Sequence, residues 1–345
     1  MKKFLCVLLS LLCVFALSIN LTACGDNNEG TAGLKYELQD DGTYFVSGID
    51  TKTENIVIPS SYNGKQVTGV AEDAFITDRT LKQVTLPSSV YVIEGSAFYN
   101  CSALEKINLE NVSVIEDASF RNTKLSTVNF NNLQKVGKNA FNGCSKLKTV
   151  EFPAGVSEIG QSAFSGCNLL NTVNFKGTVN VVGVNAFSGC SLLRNVNLEK
   201  IKYFNQGCFQ SCVSLENINL ANAVEIEPYA FKACTKLTSV ILGANLIYIH
   251  KDAMKDCEAV SSIEVINKEG WYNVGTCARC FTSEGGTLQQ ASVFDDTANN
   301  VSMFIATDWA HNYYLCKQEW ISKNRPNGWN KNKGDYCGGC GQGSV

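Results

Sequence analysis

The chain has 345 residues, 45% of them hydrophobic, and a formal charge of −3. A mildly acidic chain carries no electrostatic footprint for nucleic acid, so none is expected as a partner. At this length two domains would be ordinary, but that expectation fails for repeat proteins.

Lys2 and Lys3, followed by an apolar run from Phe4 to Ile19, read as an export signal. The run is too short and wrongly placed for a permanent spanning helix. Leu21-Thr22-Ala23-Cys24 comes next and resembles the lipobox of bacterial lipoproteins. That resemblance implies removal of residues 1–23 and a covalent diacylglycerol lipid on Cys24. The mature protein would then be extracytoplasmic, at the cell surface and lipid-anchored to the membrane, since two or more acyl chains hold stably. Loss of the leader removes two lysines and no acid, leaving 27 basic against 32 acidic residues, a net −5. Gly25 to Gly33 is small and polar, so 24–35 reads as a flexible tether.

Residues 36–70 read as an N-terminal cap, in which Tyr44-Phe45-Val46 and Ile56-Val57-Ile58-Pro59 alternate like strands and Asn63-Gly64 has hairpin-turn chemistry. From there a repeat governs residues 71–268. A small residue followed by a bulky apolar one recurs nine times, from Ala74-Phe75 to Ala253-Met254, at spacings of 23, 22, 21, 23, 23, 22, 22 and 23. Five residues before each bulky residue stands an apolar one, from Val70 to Ile249. Beyond it come Leu81, Leu104, Leu125 and their counterparts, then a period-two strand whose inward pair runs from Val84/Leu86 to Ile263/Val265. A unit this narrow buries its apolar face only by stacking, which makes a repeat solenoid. The expectation is nine rungs at about 4.8 Å, roughly 40 Å in all, each with a short parallel strand and a short helical turn bearing the aromatic.

The unit Ile159-Gly160-Gln161-Ser162-Ala163-Phe164-Ser165-Gly166-Cys167, with Leu170 and Val173, resembles the BspA-type leucine-rich-repeat family. The lead-in Asp41-Gly42-Thr43-Tyr44, Val46-Ser47-Gly48-Ile49 and Ile56-Val57-Ile58-Pro59 is similar to the start of such proteins. The resemblance covers about residues 36 to 266 and implies a mainly β leucine-rich-repeat solenoid with a parallel β-sheet. It also implies adhesion at a bacterial surface, to an extracellular protein or glycan.

Between the two inward residues of each strand one side chain points out: Thr85, Asn108, Asn129, Glu151, Asn174, Asn197, Asn219, Ile241 and Glu264. Asparagine is a poor strand former, so its recurrence needs a reason. Stacked amides that hydrogen-bond from rung to rung are one; an array that meets a glycan or extended peptide is the other. Asn108, Asn129, Asn174, Asn197 and Asn219 are therefore the candidate binding residues.

Seven of the 16 cysteines lie three residues after the repeat aromatic: Cys101, Cys144, Cys167, Cys190, Cys212, Cys234 and Cys257, with Asp78 and Thr123 in that place in the first and third units. Parallel side chains about 4.8 Å apart suit a disulfide poorly, so the column reads as buried thiols acting as small apolar groups. Cys208 reads the same way.

Residues 269–345 lose the repeat, hold all four tryptophans and read as a small α+β module or an elaborate cap. Trp309, Tyr313, Cys316 and Trp320 fall on one face of an expected helix from Ala306 to Ser322. Cys277, Cys280, Cys337 and Cys340 form two Cys-x-x-Cys pairs, compatible with structural zinc, with disulfides, or with free redox-active thiols. They motivate an alternative function, a redox- or metal-handling surface lipoprotein. His250 and His311 have no recognisable nucleophile or metal-spaced partner, and no hydrolase, phosphate-loop or metalloprotease motif occurs. The chain is not expected to be an enzyme.

Overall fold

The structure, a computed structural model, describes residues 30–250 and 252–269, and the backbone of 271–275, 286–288 and 313–317. The leader, Cys24, His311 and the four terminal cysteines lie outside the described residues. Each repeat forms one coil of a parallel β-solenoid, and three walls enclose its core.

The first wall is a 15-stranded sheet among the described residues. Its repeat strands are two to four residues long after the six-residue Lys65–Val70, and pair in parallel, with Val70 opposite Ile93, Ile93 opposite Ile115, Val136 opposite Ile159 and so on to Ile226 opposite Ile249. The apolar column five residues before each aromatic is thus also the hydrogen-bond register. Gly137, Gly160 and Gly183 succeed one another where rungs approach closely; a Cβ on Gly160 would lie 2.5 Å from the Gly137 carbonyl carbon.

The second wall holds the strands with the inward pairs. It is broken into three three-stranded parallel sheets: Asn55–Val57, Gln83–Thr85 and Lys106–Ile107; Thr149–Phe152, Thr172–Phe175 and Asn195–Val196; and Asn217–Leu220, Ser239–Leu242 and Ser262–Val265. The first break falls at the third rung. The second follows Asn195–Val196, where a 3-10 helix, Leu198–Lys200, replaces the rest of the strand.

The third wall corrects the expected helical turn around each aromatic. In the second rung the amides of Ala97, Tyr99 and Cys101 bond back to Glu94, Ser96 and Phe98, while those of Ser96, Phe98 and Asn100 bond across to Asp117, Ser119 and Arg121 of the next rung. An α-helix would satisfy its interior amides within the rung; here every second one ties two rungs together. The alternation needs left-handed residues two before and two after the aromatic, as at Ser96 and Asn100 (φ 54° and 56°), Ser162 and Gly166 (53° and 74°), and Asn185 and Gly189 (55° and 75°). Asparagine and glycine recur there because they tolerate this conformation best.

The aromatics fill the core. Successive rings from Phe75 to Phe231 stack with centroids 5.1 to 5.6 Å apart and planes within 13°. At the N-terminal end the strand Lys65–Val70 pairs with Ser61–Tyr62 across a turn whose Asn63 and Gly64 both have positive φ (48° and 75°), the type I′ geometry their sequence favours. Leu34–Leu38 and Tyr44–Ile49 complete that end.

A second correction concerns the expected helix from Ala306 to Ser322. Its centre, Tyr313–Lys317, is a β-strand that pairs antiparallel with Tyr248–His250 of the last rung and with Trp271–Gly275. The run Tyr313-Tyr314-Leu315 suits a strand as well as a helix. The last rung otherwise presents an open row of backbone donors and acceptors, and pairing satisfies them.

Candidate binding face

The outward columns of the second wall lie as the alternation requires, but their asparagines do different things. Asn108 Nδ2 donates to the Leu86 carbonyl (2.8 Å) while its Oδ1 accepts from the Leu86 amide (2.7 Å). Asn197 does the same to Phe175, at 2.9 Å for both bonds. Each stands where its three-stranded sheet ends, and its side-chain amide replaces the strand backbone that has turned away. Both amide groups are therefore committed to the fold. Asn219 Oδ1 accepts from the Ala221 amide within its own rung (3.0 Å). Asn129 and Asn219 are exposed, and Asn174 is half-buried.

The sequence carries a signal for where asparagine stands in this column, though not for which asparagines finish a ladder. All four repeat spacings shorter than 23 residues contain an asparagine in the outward column, Asn108, Asn129, Asn197 and Asn219. Only one of the four full-length spacings does, at Asn174. A shortened loop leaves the strand early, and an amide side chain can complete the ladder it leaves. Asn197→Ala should therefore lower stability by about 1–3 kcal/mol in chemical denaturation, because it strands the amide and carbonyl of Phe175. Asn174→Ala should stay within about 0.5 kcal/mol. Equal effects of the two would remove the role assigned to Asn197.

The neighbouring row is Gln83, Lys106, Thr127, Thr149, Thr172, Asn195, Asn217, Ser239 and Ser262. From Thr127 onward it is uncharged. Parts of it are tied laterally: Ser239 Oγ donates to Asn217 Oδ1 (2.6 Å), and Asn195 Nδ2 to Thr172 Oγ1 (3.4 Å). Strand pairing within the three-stranded sheets holds this array in place from Thr149 onward, while Thr127 lies outside them.

The thiol column faces the core. All seven cysteines are buried and free, as is Cys208. Each of the seven also donates its S–H to the carbonyl of the aromatic one rung earlier, from Cys101 to Phe75 (2.9 Å) through Cys190 to Phe164 (3.2 Å) to Cys257 to Phe231 (3.0 Å). Their spacing alone suggests apolar filler; the donor role appears only where the rungs stack. Thr123 fills the place in the third rung, donating to Phe120 O (3.0 Å). In the first rung Asp78 accepts from the Thr80 amide and hydroxyl. Burial pushes the Cys144 thiol up to about 11 and Cys101 to about 12. Such thiols are neither nucleophiles nor ready metal ligands at neutral pH. Among the described residues no group of three or more His, Cys, Asp or Glu side chains is placed to hold a metal ion.

Sequence comparison matches the family model described as BspA type leucine rich repeat region, in six copies, over residues 68–193 and 169–278. No curated protein matches the chain. Among solved structures, a leucine-rich repeat protein from Bacteroides ovatus is similar at 25% identity, with a TM-score of 0.54, over 69% of this chain and 70% of that one. A leucine-rich repeat protein of T. pallidum is similar at 30% identity over 55% of this chain and 91% of that one, with a TM-score of 0.48.

Proposed function

The chain belongs to the BspA-type leucine-rich-repeat family, and from that premise we propose that it is a lipid-anchored surface protein that binds an extracellular protein or glycan on its broken sheet. The observation that carries this reading is the uncharged polar row from Thr149 to Ser262, held on paired strands beside Asn174 and Asn219, with Thr127 and Asn129 continuing it on the unpaired third rung. Ordered amides and hydroxyls bind with little conformational entropy left to lose, and extended solenoid surfaces serve this purpose generally. The protein has a binding rather than a catalytic role in this reading. The described thiols are enclosed in the core and lend no support to redox or metal handling.

The test is capture of a partner by the immobilised protein, followed by the double variant Asn174→Ser/Asn219→Ser. The face stays polar but its reach shortens. Affinity should fall about tenfold while the melting temperature holds; unchanged affinity would move the binding surface off this wall.

The anchor is tested separately. Cys24→Ser should remove the lipid, so that the variant differs from the parent in mass and leaves the membrane fraction. A variant that remains membrane-bound with the parent's mass would refute the lipobox reading.

A further inference from the structure

The third rung breaks the lattice twice. Leu125 follows Phe120 by five positions, where in the other eight rungs the next leucine or valine follows the bulky residue by six. Leu133 follows Phe130 by three positions, where in the fourth rung Val156 follows Phe152 by four. It alone is short at both turns that flank its strand segment. The consequence is visible in the packing: Thr127–Phe130 pairs with neither Lys106–Ile107 nor Thr149–Phe152. The rings of Phe130 and Phe152 are 6.3 Å apart, against 5.1 Å for Phe152 and Phe175 one rung on.

Beside this seam a solvent-open cavity of about 310 Å³ lies on the outer face over the paired strands Gln83–Thr85 and Lys106–Ile107, lined by Gln83, Thr85, Lys106, Asn108 and Glu110 and, from the third rung, by Thr127. Asn108 is committed to Leu86, but the others supply an amide, two hydroxyls, an ammonium and a carboxylate. Among the described residues neither Lys106 nor Glu110 forms an ion pair, although both face the same cavity. Of the unpaired segment Thr127–Phe130, Thr127 is the residue that reaches this cavity.

We infer that this cavity is a binding site for a single acidic sugar residue, a pyranose bearing a carboxylate. Lys106 takes the carboxylate, while Glu110, Gln83 and Thr127 take ring hydroxyls, which both donate and accept. The cavity holds on the order of ten waters at about 30 Å³ each, which suits one sugar ring and not a polymer. No aromatic face lines it, so stacked bases and apolar ligands gain nothing there. An added peptide strand would find an edge only two residues long, Lys106–Ile107. The inference rests on the reading of this wall as a binding face and narrows its ligand.

The experiment is saturation-transfer NMR on the full chain in detergent, with D-glucuronate and N-acetylneuraminate as probes and D-glucose as the neutral comparison. At least one acid sugar should receive saturation at millimolar concentration and glucose much less. Lys106→Ala and Glu110→Ala should each weaken the signal about tenfold with an unchanged melting temperature. Absence of transfer to both acid sugars, or transfer that survives both substitutions, would overturn the proposal. Asn174→Ser/Asn219→Ser leaves the seam intact. A captured partner lost from that variant while sugar binding fails in the parent sinks this inference alone. Sugar binding kept while the partner is indifferent to Asn174 and Asn219 sinks the broader reading of that face.

Discussion

Phe164→Ala should destabilise the protein by about 3–5 kcal/mol, among the largest losses from any single truncation in the solenoid. The ring is fully buried, stacked on Phe141 at 5.1 Å and on Phe187 at 5.3 Å, and met edge-on by Phe152 at 5.6 Å. Its removal opens a cavity whose walls are the rings of two neighbouring rungs, and rungs pinned by hydrogen bonds on three walls have little freedom to collapse into it. Solenoid stability is a sum of rung terms and nearest-neighbour interfaces, and this substitution weakens two interfaces at once. The denaturation curve should therefore broaden or split as well as shift. Phe164→Leu, which keeps most of the volume, should lose much less. Similar midpoints for the two variants would show that the stack is not what joins the rungs.

Cys190→Asp should be at least as damaging at neutral pH, by several kcal/mol, because it places a carboxylate between two buried thiol neighbours with no cation beside it among the described residues. Cys190→Ala should cost about 1–2 kcal/mol, from the lost sulfur volume and from the bond to Phe164 O that no longer forms. Burial raises the introduced carboxyl above its unfolded value, so the penalty is absent below about pH 4, sets in as pH rises through the unfolded pKa and is complete above the folded one. The Cys190→Asp variant should thus approach Cys190→Ala as the solution is acidified.

The parent's own thiols from Cys101 to Cys234 obey the same sign, while the hydrogen bond with Cys234 lowers Cys257. Their folded values, about 11 for Cys144 and about 12 for Cys101, lie above the unfolded thiol near 8.5. Stability conferred by the neutral column is fully present below about pH 8.5 and falls as pH rises toward 11. Urea midpoints between pH 8 and 11 check this; a flat profile would mean that the column is solvated.

The repeat period, the inward pairs, the Asn63-Gly64 hairpin and the burial of the cysteine column were legible in the chain by itself. All are properties of local spacing: apolar residues at period two make a half-buried strand, and a face too narrow to bury alone makes a stack wherever the unit recurs. Even the register of the long sheet followed, since the column from Val70 to Ile249 can align in only one way without turning polar residues inward. What the chain alone did not disclose depends on groups that meet from different rungs. That Asn108 and Asn197 finish a backbone ladder, that each thiol donates to the carbonyl one rung back, and that alternate turn amides cross between rungs all require partners about 20 to 26 residues away, in a geometry only the stacked state creates. The segment around Tyr313 makes the same point: its aromatic spacing favours a helix in isolation, and the unpaired edge of the last rung, absent until the solenoid exists, makes it a strand.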